Sequence, residues 1–533
     1  MGGFSNFAIS FSIISILTGA MTLFDYGLKH GGPAQMGLGW PLVFVFTMMV
    51  VLSMAELAAA YPTSGAMYHW STILGGRTWG WFTAWMSMVG LFSAVAAIDY
   101  GCAQNLAPLL RLPSTPGTLL LIYAVILLGQ AVINQYGVKL VAWLNDASVA
   151  VHILGVVAVV GALFLFAPLQ PAYYFFQRTT TTEHPYWWAF ILGLLQAQWT
   201  FTGYEASAHV AEETHDPRRR VPWGMVMSVL VSGVFGYALL AAMTLAIPDV
   251  NAALSATDGE GHTIPSYVAI FQHALGGVWG SAVQAMVCAA QWFCGLSAIT
   301  SLSRAIFAFA RDEGMPGSAV LRRVHPARGT PGPAIWLTVT AAFVPLIATL
   351  YWPDTYSVVA SVSTIGLYLA YCAPVALKLR KGSGWKPTAE WNLGRWSTPI
   401  NVLAIGWTVF IAVVLVMPPN MVAGVTLVVI MGEFGRAPLV AIEKSFAGQG
   451  SPGRKHWAAC YSVVLAGAGI VPGALFGSSD RHAAYPQSEP TTPGDLAATM
   501  FHALGISAEA HYTDANNRPY RATTGTPITK LFR

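Results

Sequence analysis

Up to about residue 426, long apolar stretches alternate with short polar ones. Apolar spans of about 20 residues, the length a bilayer core requires, fall near 6–27, 41–60, 80–101, 117–136, 146–167, 188–208, 223–247, 278–308, 333–351, 356–378 and 399–417. The pattern predicts eleven membrane-crossing helices, with the limits of the sixth and eighth least sharp. Positive-inside counting tests that number, because a missed span would exchange every later loop. With the N-terminus inside, the inner loops take Arg77, Lys139, the Arg218-Arg219-Arg220 run, Arg311, Arg322, Arg323, Arg328 and the basic cluster from Lys378 to Arg395. The outer loops take Lys29, Arg111 and Arg178. This bias predicts an integral protein of the plasma (inner) membrane with its N-terminus cytoplasmic. The opening M-G-G-F-S-N-F enters an apolar run at once, so the first span is read as inserting itself, not as a cleaved leader.

Composition agrees with that pattern. The 533 residues are 55% apolar and 9% charged, where a soluble domain carries roughly 25% charge. The expected class is an all-α polytopic membrane protein in a lipid bilayer. A net charge of +4 supplies no strong basic field for nucleic acid. The five cysteines, Cys102, Cys288, Cys294, Cys372 and Cys460, have no metal-ligand spacing and read as small buried hydrophobes. No cofactor is expected.

One stretch organises the rest: W-T-F-T-G-Y-E-A-S-A-H-V-A-E-E-T-H-D-P-R-R-R-V-P, Trp199 to Pro222. It begins apolar and turns polar without a loop signal. Gly203 sits in mid-span beside Tyr204 and the ionisable Glu205. Within lipid, a helix interrupted at Gly203 is tolerated only where it lines a cavity. An acid at that depth is a functional-site hypothesis by default. The alternative is a packing glycine and an acid paired with a neighbouring helix. The first span carries S-I-I-S-I-L-T-G-A-M-T, with Ser15, Thr18 and Gly19 small or polar in mid-membrane. Such residues also serve plain helix packing. The pairing decides for function: the first and sixth spans stand five apart, and each has a Gly-interrupted centre. Matching interrupted segments in two halves point to a transporter site. There, half-helix N-termini hold a carboxylate through free backbone N–H groups.

At these residues the chain resembles the amino acid–polyamine–organocation superfamily, most closely its amino acid/choline permease branch. The resemblance is carried by S-F-S-I-I-S-I-L-T-G (10–19), G-G-P (31–33), A-E-L-A-A-A-Y-P-T-S-G-A-M-Y-H-W (55–70), T-G-Y-E-A-S-A-H-V-A-E-E-T (202–214) with its P-R-R-R-V-P, and S-R-A-I-F-A-F-A-R-D-E-G-M-P (303–316). It implies two inverted five-helix repeats, a LeuT-like core, and alternating access around a midplane site. It also implies an amino acid or related amine as substrate, often moved with protons. Carried over, Ser15, Ile16, Leu17, Thr18 and Gly19 would hold the substrate carboxylate. Phe201, Thr202, Gly203, Tyr204 and Glu205 would face them. Phe201 and Tyr204 would be gate or wall, and Glu205 would bind the amine or carry a proton. Relatives often have Asp there, and Glu is one methylene longer.

Other ionisable groups complete the picture. Asp99 lies within the third span and His152 within the fifth, where the superfamily often places a coupling group. His152 suits proton exchange, or is a neutral histidine bonded to a carbonyl. Glu56, Glu212 and Glu213 read as gate or loop anchors for inner-face arginines, with Arg304, Arg311 and Asp312 in the same network. The superfamily usually has twelve spans. Here the twelfth starts as N-M-V-A-G-V-T-L-V-V-I-M and stops at Gly432, too short to cross.

From 427 to 533 the composition becomes soluble-like, and we divide the chain there: 1–426 transmembrane, 427–533 a small incomplete α/β tail. A buried strand is expected in 459–469 and a helix over 492–505, with Thr492 as N-cap and Gly505 as C-cap. V-V-I-M-G-E-F-G-R-A-P, G-R-K-H-W, G-S-S-D-R-H-A-A-Y-P and T-P-G-D-L-A-A-T resemble the C-terminal end of an exported family of unassigned function, related to sulfatases and alkaline phosphatases. The part that would supply the nucleophile and most metal ligands is missing. His456 matches a metal-binding position of that fold, but a catalytic metal needs about three protein ligands. Asp480, His482 and His502 read as surface residues. The leading expectation is therefore a secondary transporter, not an enzyme. The rival is a membrane-anchored hydrolase whose tail is the working part.

Overall fold

The computed structural model describes residues 1–257, 264–326, 328–352, 355–382, 385, 389, 391–416, 427–431, 435–436, 441–444, 450–453, 456–471, 473–507, 509, 511–513, 518–521 and 523–532. It divides into two compact units, Met1–Leu415 and Val416–Arg533.

The first unit is helical. Among the described residues, ten segments are long and apolar enough to cross a bilayer: Gly3–Thr22, Gln35–Ala60, Arg77–Leu109, Pro116–Tyr136, Lys139–Phe166, Pro217–Leu245, Gly277–Arg311, Gly332–Leu350, Val358–Lys381 and Gly394–Leu415. The sequence pattern places an eleventh at 188–208. That segment is built from three short helices, Tyr186–Gly193, Leu195–Thr200 and Ala206–His209. None of them alone has the length to cross.

The seventh span starts earlier than its apolar pattern suggests. Pro217 occupies the first helical turn of Pro217–Leu245, so Arg218, Arg219 and Arg220 are helical, not loop. Proline is pre-organised for that position, where its missing N–H costs nothing. The helix Gly3–Ile14 packs on this seventh span and on the fifth, and Arg77–Leu109 packs on Gly277–Arg311 and Thr355–Lys381. Of the five cysteines, Cys102, Cys288 and Cys294 are buried, while Cys372 and Cys460 are half-buried.

The second unit holds short antiparallel pairs. Leu427–Met431 pairs with Val463–Gly467, so the end of the apolar run expected to start a twelfth helix is strand. Residues 417–426 lie outside the described ones. The strand expected within 459–469 forms as Val463–Gly467 and is half-buried, with Val464 exposed. Helix Pro493–Ala503 begins at Thr492 in a capping box, where Thr492 Oγ1 accepts the Asp495 N–H and Asp495 accepts the Thr492 N–H. Leu504 ends it, and Gly505 follows at φ 73°.

Candidate functional site

The first and sixth spans break where they meet. The first consists of Gly3–Ile14 and Ile16–Thr22, joined at Ser15 with φ 44° and ψ 76°. The expected interruption at Gly19 thus lies one turn earlier, on a serine. A left-handed conformation costs a non-glycine residue roughly 1–2 kcal/mol, so surrounding contacts must hold it. They do. The Ser15 N–H donates to the Phe11 carbonyl at 3.0 Å, and the Ser15 hydroxyl lies 2.7 Å from His152 Nε2. His152 Nδ1 sits 2.8 Å from the Ser148 carbonyl. A carbonyl only accepts, so Nδ1 carries a proton, while the bond between Nε2 and the Ser15 hydroxyl can run in either direction. His152 thereby ties the bend of the first span to the fifth.

The sixth span opens from Phe201 to Glu205. Gly203 adopts φ 91°, and a Cβ there would stand 2.1 Å from Ile13 Cγ2. A Cβ on Gly19 would stand 2.8 Å from Thr200 Cγ2. Each glycine lets one broken span press against the other. The Thr18 and Gly19 N–H groups close on the Ser15 carbonyl at 2.9 and 2.7 Å. That leaves the Ile16 and Leu17 amides as the ones nearest the break without an intrahelical acceptor.

A cavity of about 20 Å³, room for about one water, lies between the breaks. Thr18, Gly19, Thr202 and Gly203 line it. Ser15, Ile16, Leu17, Phe201, Tyr204 and Glu205 do not. Phe201 packs its ring 4.6 Å from that of Trp40, on the side of the second span. Tyr204 packs its ring, tilted, 4.9 Å from that of Tyr371 of the tenth span. The Tyr371 hydroxyl donates to Glu205 Oε2 at 2.7 Å and also accepts the Gly203 N–H at 3.3 Å. Glu205 is fully buried, and its Oε1 has no hydrogen-bond partner.

Several lining residues escaped sequence reasoning: Trp199, Cys294, Tyr356 and above all Gln291. Gln291 is 2% exposed. Its Oε1 accepts from Asn105 Nδ2 at 3.0 Å, and the Tyr267 hydroxyl donates to Asn105 Oδ1 at 2.6 Å. A buried phenol must donate its proton, and Asn105 is its partner among the described residues. That sets the polarity of the relay and leaves the Gln291 NH₂ against Gly101, where a Cβ would meet both it and the Tyr356 hydroxyl. The signal available was a glutamine inside an apolar span.

Asp99 is buried away from the cavity lining. It accepts from Gln130 Nε2 at 2.9 Å and packs against Gly295, tying the third, fourth and eighth spans together. Glu56 does not pair with an arginine. It forms an ion pair with Lys378, accepts the Leu393 N–H at 2.9 Å and the Ser397 hydroxyl at 2.7 Å, and is 1% exposed. The expected arginine network is formed by the other two acids: Glu212 with Arg311 at 3.0 Å and Glu213 with Arg304 at 3.1 Å. Burial pushes the Glu212 carboxyl up, but hydrogen bonds from Arg311 and Ser64 outweigh it and hold it below the usual range.

In the tail, the His456 side chain lies outside the described residues. No group of three His, Cys, Asp or Glu that could hold a metal occurs among those described. Asp480 accepts the His482 and Ala484 amides, and His502 packs at 4.9 Å on Phe532.

Comparison with known proteins gives these features a family. Residues 1–431 match the family described as amino acid permease, and 423–532 match a family described as a protein of unknown function, DUF1501. The amino-acid permease BAT1 of Arabidopsis thaliana is 33% identical over 440 residues, 78% of this chain and 84% of that one. Its homolog in Oryza sativa is 34% identical over 436 residues, with the same coverage. The GABA-specific permease of Saccharomyces cerevisiae is 25% identical over 443 residues, 79% of this chain and 76% of that one. With paired broken helices in a LeuT-like bundle and this similarity along the membrane unit, the chain belongs to the amino acid permease family and is a membrane transporter, not an enzyme.

Proposed function

We propose that the protein moves an amino acid or related amine by alternating access, with the substrate held between the broken first and sixth spans. The observation that carries this is the meeting of both breaks around one small cavity. At about 20 Å³ the cavity is closed around no substrate-sized volume, so binding requires the two spans to part. Once the spans part, the free Ile16 and Leu17 amides at the Ser15 break take the substrate carboxylate. The Gln291 NH₂ and Tyr356 hydroxyl meet the distal part of the substrate.

Glu205 faces Tyr371 and not the cavity, so we assign it a proton rather than the substrate amine. A buried acid with one oxygen unpartnered and no cation beside it can be neutralised without breaking an ion pair. His152 is the second proton candidate. In a neutral ring Nε2 accepts from Ser15, and protonation there would make it a donor and oblige the Ser15 hydroxyl to turn, linking charge to the first-span bend. The loop-charge bias supports a cytoplasmic N-terminus, and we read the membrane as the plasma (inner) membrane. We read 427–533 as a non-catalytic, hydrolase-like addition to the permease.

Counterflow of labelled amino acids into proteoliposomes tests this. Wild type should exchange at least one amino acid under a proton gradient. Glu205→Gln should keep exchange and lose gradient-driven accumulation. Accumulation by Glu205→Gln equal to wild type removes Glu205 from coupling.

A further inference from the structure

A second cavity, of about 470 Å³, opens between the start of the first span and the start of the seventh. One wall is a stripe of the helix Pro217–Leu245, Arg220, Trp223, Met227 and Val231, spaced three or four apart, with Arg219 beside Arg220 at its start. Phe4 and Phe7 form the opposite wall. The stripe is polar at its basic end and apolar beyond it. From Arg220 to Val231 it runs about 16 Å at 1.5 Å per residue, roughly half of a hydrocarbon core about 30 Å thick. The groove therefore has the depth of one leaflet.

Among the described residues the basic end takes part in no ion pair. The nearby acids are already engaged, Glu213 by Arg304 and Glu212 by Arg311. Asp216 sits on the rim, yet among the described residues no ion pair joins it or any other acid to Arg219 or Arg220. The helix dipole adds positive potential at the same end. Trp223 is 50% exposed and Phe4 58%, placing two aromatic rings at the level where interfacial belts form.

We propose that this groove seats an anionic phospholipid of the inner leaflet. Its phosphate lies on Arg219 and Arg220, and one acyl chain lies along Trp223, Met227 and Val231. Phe7 stacks at 5.3 Å on Phe11, and Phe11 packs at 5.7 Å on His152, so an occupied groove braces the inner half of the first span. The inference rests on the cytoplasmic placement of this end and not on the substrate reading.

The test uses the purified full chain and follows thermal unfolding in detergent as phosphatidylglycerol or phosphatidylcholine is added. Phosphatidylglycerol should raise the wild-type midpoint, and phosphatidylcholine should raise it less. Arg219→Ala with Arg220→Ala should weaken the apparent phosphatidylglycerol affinity roughly twenty-fivefold, since each basic side chain near an anionic surface contributes about fivefold. Val231→Trp, which fills the apolar end and keeps both arginines, should also abolish the shift. Arg322→Ala with Arg323→Ala removes equal charge elsewhere and should leave it intact. A control variant as impaired as the groove variant would overturn the site. So would an unaltered response in Val231→Trp, or an equal shift from glycerol 3-phosphate alone.

Discussion

The Glu56–Lys378 pair offers the sharpest energetic test of the membrane unit. It joins the second, tenth and eleventh spans at their inner ends, with side chains 1% and 2% exposed. Removing one partner from a buried pair costs about 3–5 kcal/mol, because the remaining charge is stranded. The two partners are unequally supported. Without Lys378, Glu56 keeps the Leu393 N–H at 2.9 Å and the Ser397 hydroxyl at 2.7 Å. Without a carboxylate at position 56, Lys378 keeps Asn401 Oδ1 at 3.3 Å and the face of Trp385 at 4.8 Å. Glu56→Gln should therefore cost about 5 kcal/mol, and Lys378→Met about 3 kcal/mol. The double variant leaves no buried charge, and the amide oxygen introduced by Glu56→Gln can still accept from the Leu393 N–H. It should lie within about 1 kcal/mol of wild type, since a neutral pair avoids the desolvation of both ions. Denaturant unfolding in detergent, followed by tryptophan fluorescence, measures all three. A double variant whose loss equals the sum of the single losses to within about 0.5 kcal/mol would refute the coupling and with it the account of this site.

Three further outcomes are expected. Gly203→Ala must accept φ 91° and displace Ile13, from which its Cβ would stand 2.1 Å; strain and overpacking together predict about 3 kcal/mol lost, with uptake abolished in proteoliposomes. Gln291→Leu should preserve folding by circular dichroism and lower counterflow of substrates with a distal acceptor by roughly tenfold, the weight of one hydrogen bond to a buried donor. Glu212 is held below its unfolded value of about 4.3, so its contribution is complete above that pH and is lost as pH falls through the lower folded value. Glu212→Gln should flatten the acid limb of unfolding, and the effect will be small because the pair is about two-fifths exposed.

The membrane unit was legible because its signal is coarse. A bilayer demands length and apolarity, and both survive in a single sequence. The offset between the two interrupted spans was legible for the same reason, since glycine, serine and threonine stand out in apolar runs. The geometry at the break was not. Composition marks Gly19 as the hinge, but the left-handed residue is Ser15, held by a histidine from the fifth span. Gly19 serves close approach to Thr200. Phe201, Tyr204 and Glu205 are expected at the cavity because they adjoin Gly203. An unwound backbone rotates successive side chains to different sides, and these three turn toward the second and tenth spans. Loop charge assigns Glu56 to arginines, whereas its partner lies 322 residues away. Such pairings are tertiary and carry no local signal.

The polar groups of the sixth span bear on how the transporter moves. Gln196 Oε1, Gln198 Nε2 and Glu205 Oε1 are all buried without a hydrogen-bond partner. Left dry, each such atom costs about 1–3 kcal/mol, and all three fall on one span. Neighbouring atoms of the same side chains are satisfied: Gln196 Nε2 donates to the Ala20 carbonyl at 3.0 Å, and Glu205 Oε2 accepts from Tyr371. Half-satisfied groups are poor anchors and good exchangers. If substrate or water reaches the orphaned atoms when the spans part, opening recovers part of that cost. The closed state is then raised toward the open one, and the barrier between them is lowered. On the proposed mechanism, apolar replacements of similar size at Gln196 and Gln198 are expected to raise the unfolding midpoint and lower counterflow, and higher stability with unchanged counterflow would refute the link.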